Sequence, residues 1–66
     1  MIIYLNSKPL ELDNSVSVEE LMNSQNIPSG GTAVAVNGKV VRRDNWADYI
    51  INEGAQVLVI SAAYGG

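Results

Sequence analysis

Two continuous apolar runs, Ile2–Leu5 and residues 57–60, stand near opposite ends of a chain of only 66 residues. A short apolar run without polar alternation is typical of a strand that is buried on both faces of a sheet. We therefore expect the first and last strands to lie side by side at the centre of one sheet. A chain of this length buries roughly 60% of its unfolded surface, enough for one small domain.

Two β-hairpins are expected to flank this central pair. Residues 10–13 alternate, with Leu10 and Leu12 predicted inward, and follow a polar turn predicted at residues 6–9. Asn37-Gly38 is the strongest hairpin signal in the chain, because a type I′ turn favours these two residues. This turn is predicted to join a strand at residues 32–36, with its valines facing the core, to a short strand at residues 39–41.

One helix is predicted between the two hairpins. Ser17 followed three residues later by Glu20 matches a capping box, in which each side chain bonds the other residue's main-chain N–H. The apolar positions that follow have helical spacing, and Ile27-Pro28 is expected to end the element. The apolar stripe consists of Val18, Leu21 and Met22.

The remaining segments are predicted to be loops and turns. Residues 29–31 form a loop, and residues 42–49 an irregular or 3₁₀ turn. Residues 50–52 lead to a turn at Glu53-Gly54, after which residues 56–61 form the last strand. This order predicts an α+β fold of the β-grasp, or ubiquitin-like, type. It would have a mixed sheet of about five strands, with one main helix packed on one face.

The composition excludes several classes of function. The chain has no cysteine and no histidine, so the thiol nucleophile, the usual general base, a disulfide framework and a zinc site are all missing. An independent enzyme is therefore not expected, and no metal or cofactor is expected to bind. The net charge of −3 argues against nucleic acid, since Lys39, Arg42 and Arg43 form only a small basic cluster.

The start of the chain lacks the basic region of a signal peptide. No segment approaches the ~20 apolar residues that a membrane-spanning helix needs. We expect a cytoplasmic protein that does not bind membranes. Its organisation is predicted as a single β-grasp domain, residues 1–66, with a flexible C-terminal tail at residues 62–66.

The tail ends in Gly65-Gly66 and offers a candidate reactive group. Glycine has no Cβ, so such an end can pass through a narrow channel and lie close to another backbone. The terminal carboxylate is a poor electrophile until it is activated as an acyl phosphate or acyl adenylate. From Ser61 the tail can extend ~17 Å, enough to enter a buried active site. On this chemistry alone, a carrier end and a frayed end without function are equally compatible with the sequence.

The combination of motifs resembles the ThiS family of sulfur carrier proteins of thiamine biosynthesis, relatives of the small molybdopterin synthase subunit. The resemblance covers essentially the whole chain. It rests on the Asn37-Gly38 hairpin within residues 34–41, on Arg43, Trp46 and Gly54, and on the terminal Gly65-Gly66. Two turn positions differ: Arg42 stands where the family commonly has proline, and Gly54-Ala55 where it often has Gly-Asp.

The resemblance implies that the chain is a substrate of other enzymes. A ThiF-like adenylating enzyme would use ATP and magnesium to adenylate the Gly66 carboxylate. Sulfur from a cysteine desulfurase persulfide would then replace AMP and give a C-terminal thiocarboxylate. That group would donate its sulfur on thiazole synthase, a ThiG-like enzyme, during formation of the thiazole ring.

Residues that contact these partners are predicted in two segments of the chain. In the tail they are Gly65, Tyr64 and Ala63; at the basic cluster they are Arg42 and Arg43, for which a solvated turn is an equal alternative. Trp46 is expected in the core or as a cover over one end of the sheet. Two other functions remain open: a ubiquitin-like modifier or binding module, and a sulfur carrier for molybdopterin.

Overall fold

The computed structural model describes residues 1–28 and 30–61. In chain order its elements are β1 (Ile2–Leu5), β2 (Lys8–Glu11), β3 (Val16–Ser17), α1 (Val18–Ser24), β4 (Thr32–Val36), β5 (Lys39–Val41), a 3₁₀ turn (Arg43–Asn45), β6 (Ile50–Ile51) and β7 (Gln56–Ser61). The predicted tail at residues 62–66 lies outside the described residues.

Five strands form one mixed sheet in the order β2-β1-β7-β4-β5. β1 and β7 are parallel neighbours, with Tyr4 opposite Gln56 and Leu5 opposite Val57, and the other pairs are antiparallel. The prediction that the first and last strands lie side by side at the centre is therefore confirmed. The two hairpins flank this pair, also as predicted.

The core lies between one face of this sheet and α1. The helix contributes its predicted apolar stripe, and alternate residues of the central strands meet it from the sheet. Fully buried side chains are supplied by both layers. The largest of them are Ile3, Leu21, Ile51, Val18, Val34 and Val36.

The prediction that β1 and β7 are buried on both faces is wrong. Ile3 and Val57 are buried, but Leu58 is 49% and Ile60 55% exposed. Among residues 1–28 and 30–61, only α1 and its neighbouring loops cover the sheet, and they cover one side. The continuous apolar runs therefore reflect an inner face that packs in the core and an outer face that remains apolar in contact with water.

The first hairpin turn is shorter than predicted. Asn6 and Ser7 alone form it, with φ of 51° and 70°, as both central positions of a type I′ turn require. Pro9 therefore belongs to β2, opposite Tyr4. The main-chain N–H of Tyr4 donates to Ala55 in the other direction, so the nitrogen of Pro9 faces the outer edge, where no ladder bond is lost.

The capping box at the start of α1 is confirmed. The Ser17 Oγ accepts from the Glu20 N–H at 3.0 Å, and the Glu20 Oε1 accepts from the Ser17 N–H at 2.8 Å. The helix ends at Ser24, before the predicted Ile27-Pro28 stop. Asn26 adopts a φ of 57°, and the N–H of Ile27 reaches back to the carbonyl of Met22 at 2.9 Å, which closes a Schellman motif.

A second, two-stranded sheet was not predicted. β3 pairs with β6 immediately before α1, with Val16 opposite Ile51 and Ser17 opposite Ile50. The N–H of Val18 continues this contact by donating to the Tyr49 carbonyl at 2.9 Å. The start of the helix is thereby fixed to the segment that follows the 3₁₀ turn.

Trp46 is in the core, which is one of the two placements predicted for it. It is 4% exposed, and its indole N–H donates to the Val41 carbonyl at 2.9 Å. Residues 43–45 form the predicted 3₁₀ turn. The bond from Trp46 fastens this turn to the end of β5.

Candidate functional site

β7 carries the chain from the centre of the sheet to the predicted reactive end. The last described residue is Ser61, opposite Thr32 of β4. The predicted site residues Ala63, Tyr64, Gly65 and Gly66 follow it and lie outside the described residues. The position and direction of the strand that leads to them are therefore set by the sheet.

Two turn asparagines hold the beginning and the middle of β7. The N–H of Asn37 donates to the Gln56 carbonyl at 2.8 Å, and the Gln56 N–H donates back to the Asn37 Oδ1 at 2.9 Å. The N–H of Asn6 donates to the Val57 carbonyl at 2.8 Å, and the Val59 N–H donates to the Asn6 Oδ1 at 2.8 Å. Each hairpin turn is thus bonded to β7 by both main chain and side chain.

The end of β7 extends beyond its parallel neighbour. β1 ends at Leu5, opposite Val57, and the chain then turns away at Asn6 and Ser7. β4, in contrast, pairs with β7 as far as Ser61. Within the part of the chain that the structure describes, the last part of β7 is therefore held by a strand on one side only.

The uncovered side of the sheet presents an apolar surface, which we call the open face. Leu58, Ala35 and Val40 lie opposite one another across β7, β4 and β5, and Ile60 lies opposite Ala33. Ile2 and Tyr4 extend the open face onto β1, at 42% and 36% exposure, and Val40 is 74% exposed. A depression of about 250 Å³ in this face lies between Asn6, Ala35 and Leu58.

The predicted basic residues lie at the outer edge of the sheet. Arg42 follows β5 directly in an extended conformation, and Arg43 begins the 3₁₀ turn. Both are exposed, as is Lys39 at the start of β5. Three of the chain's four basic residues therefore lie within five positions along the chain. The structure places them beside the edge on which the side chain of Val40 is exposed.

A larger depression, of about 470 Å³, lies on the helix side of the domain. Met22 and Ile27 of the helical segment form one wall, and Trp46 with Asp44 forms the other.

Across the described ranges no helix is long and apolar enough to span a bilayer.

Ala33 and Ala35 were expected to leave a flat outer sheet face, but the exposed β7 part of the open face and the Asn6 contact were missed by sequence reasoning. In β7 the residues of both faces are apolar, so alternation gave no sign that one face would stay uncovered. Asn6 was recognised only as part of a polar turn. The one sequence feature that could have indicated the contact with β7 is the position of Asn6 directly after the β1 run. There a side-chain oxygen can accept a hydrogen bond from the neighbouring strand in place of the main chain.

The geometry defines a class of protein: a β-grasp domain whose central last strand leads to a Gly-Gly end, with an apolar sheet face beside it. A crystal structure of the thiamine biosynthesis protein ThiS from Geobacter metallireducens matches it with a TM-score of 0.86, at 26% identity over all of both chains. A solution structure of a thiamine biosynthesis protein from the same organism matches with a TM-score of 0.81, covering the whole of this chain and 88% of that one. The predicted β-grasp fold is confirmed.

The chain belongs to the ThiS family, whose model matches residues 3–66. It is 30% identical to the sulfur carrier protein ThiS of Escherichia coli strain K12 over 66 residues, which is the full length of both chains. The family resemblance seen in the sequence is thereby confirmed. The family match includes the terminal Gly65-Gly66.

Proposed function

We propose that this chain is a sulfur carrier of thiamine biosynthesis, with the Gly66 carboxylate as the carrying group. The observation that supports it most is that the ThiS family match extends through the Gly-Gly end. The Escherichia coli relative, equal in length, is named a sulfur carrier protein. The absence of cysteine and histidine from the sequence agrees with a chain that other enzymes act upon.

The proposed chemistry begins with activation of Gly66. A ThiF-like adenylating enzyme, using ATP and Mg²⁺, joins a carboxylate oxygen to the α-phosphorus of ATP and releases pyrophosphate. A persulfide sulfur, supplied through a cysteine desulfurase, then attacks the carbonyl carbon, and AMP leaves. Reductive cleavage of the sulfur–sulfur bond by a thiol yields the thiocarboxylate, which a thiazole synthase consumes. Since activation uses ATP, we assign the reaction to the cytoplasm.

The composition of this chain suits the proposed role. An activated acyl group would be attacked by a nearby thiol to form a dead-end thioester, and the carrier contains no thiol. Glycine at the end leaves the carbonyl carbon sterically open. The domain supplies recognition: the open face gives partner enzymes an apolar surface, and Arg42 and Arg43 offer charges to an acidic partner surface.

The proposal is tested by incubating the chain with its adenylating enzyme, ATP, Mg²⁺, a cysteine desulfurase and cysteine, and recording the intact mass. The mass should rise by the difference between sulfur and oxygen, and the rise should disappear when ATP is omitted. A chain lacking Gly66 and a chain extended by one alanine serve as controls, and neither should gain mass. An unchanged mass for the full chain would refute the carrier role.

The same Gly-Gly end also fits a ubiquitin-like modifier. That function predicts an amide link between Gly66 and lysines of other proteins, visible as higher-mass bands that survive denaturation.

A molybdopterin carrier would share the thiocarboxylate but serve another enzyme. Growth of a thiamine auxotroph lacking its own carrier, restored by this chain and not by the chain without Gly66, would separate the pathways.

A further inference from the structure

The hydrogen bonds of β7 alternate between its two neighbours. Val57 and Val59 direct their main-chain groups toward β1, since they bond with the main chain and side chain of Asn6. Gln56 directs its groups toward β4, since it bonds with Asn37. Because successive residues of a strand alternate in this direction, Leu58 and Ile60 also face β4, and Ser61 faces the β1 side.

Main-chain groups of β7 consequently point toward the space that β1 leaves empty. They include the carbonyl of Val59 and the N–H of Ser61. The Asn6 side chain accepts a hydrogen bond from the Val59 N–H, which is the group before these two along β7. Within residues 1–28 and 30–61, no strand pairs with β7 on this side after Val57. We call these two groups the β7 edge.

We propose that an extended segment of the enzyme that modifies Gly66 adds as a strand at the β7 edge, accepting a hydrogen bond from Ser61 and donating one to Val59. This inference rests on the proposed function, since it names how the partner holds the same tail. Strand addition of this kind obtains affinity from main-chain bonds, while neighbouring side chains supply specificity. Ile60, exposed beside the edge on the open face, is available for that contact.

The continuity of β7 with the tail favours this occupant. A segment bonded to Ser61 fixes the register of the strand from which the five last residues extend. Those residues span at most ~17 Å, so a shift of one residue at the edge moves Gly66 by about 3.3 Å relative to the partner. After such a displacement, the Gly66 carboxylate would no longer lie within bonding distance of the α-phosphorus of ATP.

The other two edges of the sheet are less suited to this role. The outer edge of β2 carries Pro9, which has no N–H to offer a neighbouring strand. The outer edge of β5 presents the N–H of Val40, because the two-residue Asn37-Gly38 turn places the ladder bonds at Lys39 and Val41. That edge lies two strands from β7, with β4 between. Val40 also belongs to the open face and adjoins the basic cluster, so a change there would alter a surface assigned to the partner. On β2, the N–H of Glu11 points outward, because Leu12 beside it bonds inward with Met1, and Glu11 therefore provides the control site.

The test replaces single N–H groups by oxygen in chemically synthesised chains. An ester at the Ile60–Ser61 bond removes the outward N–H of Ser61, and an ester at the Leu10–Glu11 bond removes that of Glu11. Each ester also weakens one inner carbonyl of the ladder, so the two are matched. Affinity for the ThiF-like adenylating enzyme is measured by calorimetry without ATP, and stability by urea denaturation. The Ser61 ester should weaken binding roughly 2- to 12-fold, and the Glu11 ester should not.

Equal affinity of the Ser61 ester and the unmodified chain would overturn the proposal, as would equal weakening by both esters. Stable self-association of the unmodified chain in sedimentation, lost in the Ser61 ester, would also overturn it by assigning the edge to a second copy. Failure of the proposed function is seen separately, because the mass assay reports on Gly66 in the unmodified chain. An unmodified chain that gains sulfur, with no effect of the Ser61 ester on binding, contradicts the edge proposal alone.

Discussion

The side-chain oxygen of Asn6 accepts a hydrogen bond from the main-chain N–H of Val59 at 2.8 Å, across 53 positions of sequence. Asn6 is also in the left-handed region, with a φ of 51°, so the chain leaves the direction of β1 at this residue. The side chain thus supplies the acceptor that the strand would have supplied had it continued. One residue both closes the first hairpin and bonds to the strand that leads to the tail.

Asn6→Gly should lower the free energy of unfolding by about 1 kcal/mol, the net value of one hydrogen bond. Glycine keeps the positive φ without strain, so this variant isolates the side-chain contact. Asn6→Ala should cost about 1 kcal/mol more, because a Cβ disfavours the left-handed conformation. Urea denaturation followed by circular dichroism measures both. Equal stability of the Gly variant and the parent chain would show that the contact with Val59 contributes nothing.

Ser17→Ala should cost about 1 kcal/mol of stability through loss of the helix cap. Ser17 is 4% exposed, so the Glu20 N–H would find little water to replace the lost acceptor. Glu20→Gln is the matched control, since its side-chain oxygen can still accept from the Ser17 N–H. The control should lie within about 0.5 kcal/mol of the parent chain, as is usual for surface substitutions. Denaturation midpoints that rank the two variants in the reverse order would refute the assigned capping box.

Trp46→Ala should cost about 3–5 kcal/mol, the usual range for deleting a buried aromatic ring. A small domain has a total stability of as little as about 5 kcal/mol, so this variant should retain at most about 2 kcal/mol and be partly unfolded at 25 °C. Trp46→Phe keeps most of the ring but leaves the Val41 carbonyl without the indole donor. It should remain folded with a lowered melting temperature. Circular dichroism is the suitable probe, because Trp46 is the sole tryptophan and its fluorescence is lost in both variants.

Leu58→Gln combined with Ile60→Gln should leave stability within about 1 kcal/mol of the parent, since both side chains are about half exposed. The same change should weaken binding to the adenylating enzyme roughly tenfold if the open face is the docking surface. Ile50→Gln is the control: Ile50 is 50% exposed but belongs to the two-stranded sheet. Binding is measured by calorimetry without ATP. Weakening of the same size in the control would argue against a role for the open face.

Arg42→Glu should lower the rate of association with the adenylating enzyme, and the loss should shrink as salt is added. Exposed charges at the rim of an interface act mainly on association, and salt screens them over about 10 Å at 0.1 M. Lys8→Glu makes the same charge change on β2, at the opposite edge of the sheet. Stopped-flow binding should show a smaller effect for Lys8. Equal effects would mean that net charge, and not the basic cluster, controls association.

The sequence allowed prediction of the elements with strong local signals. The Asn37-Gly38 turn and the Ser17–Glu20 capping box are each specified by a few neighbouring residues with defined geometry. The pairing of β1 with β7 could be inferred because both are continuous apolar runs. The helix end was placed too late, because Asn26 closes the helix in a left-handed conformation that also occurs in ordinary turns.

Features that depend on contacts between distant segments could not be predicted in this way. The pairing of Val16–Ser17 with Ile50–Ile51 involves two residues from each side, too few for a pattern. Exposure of Leu58 and Ile60 depends on the number of layers, and the single helix among the described residues covers one face of the sheet. The proposed reactive group at Gly66 was predicted from chemistry and family resemblance, and the described residues show only the strand that leads to it.

The position of β7 between β1 and β4 has a mechanical consequence for the proposed entry of the tail into a partner enzyme. A force applied to the tail along the axis of β7 acts at right angles to the hydrogen bonds of the antiparallel β4 ladder. These bonds, together with those to β1, Asn6 and Asn37, are then loaded together and not one after another. An enzyme can therefore pull on the last residues without peeling the strand away from the domain.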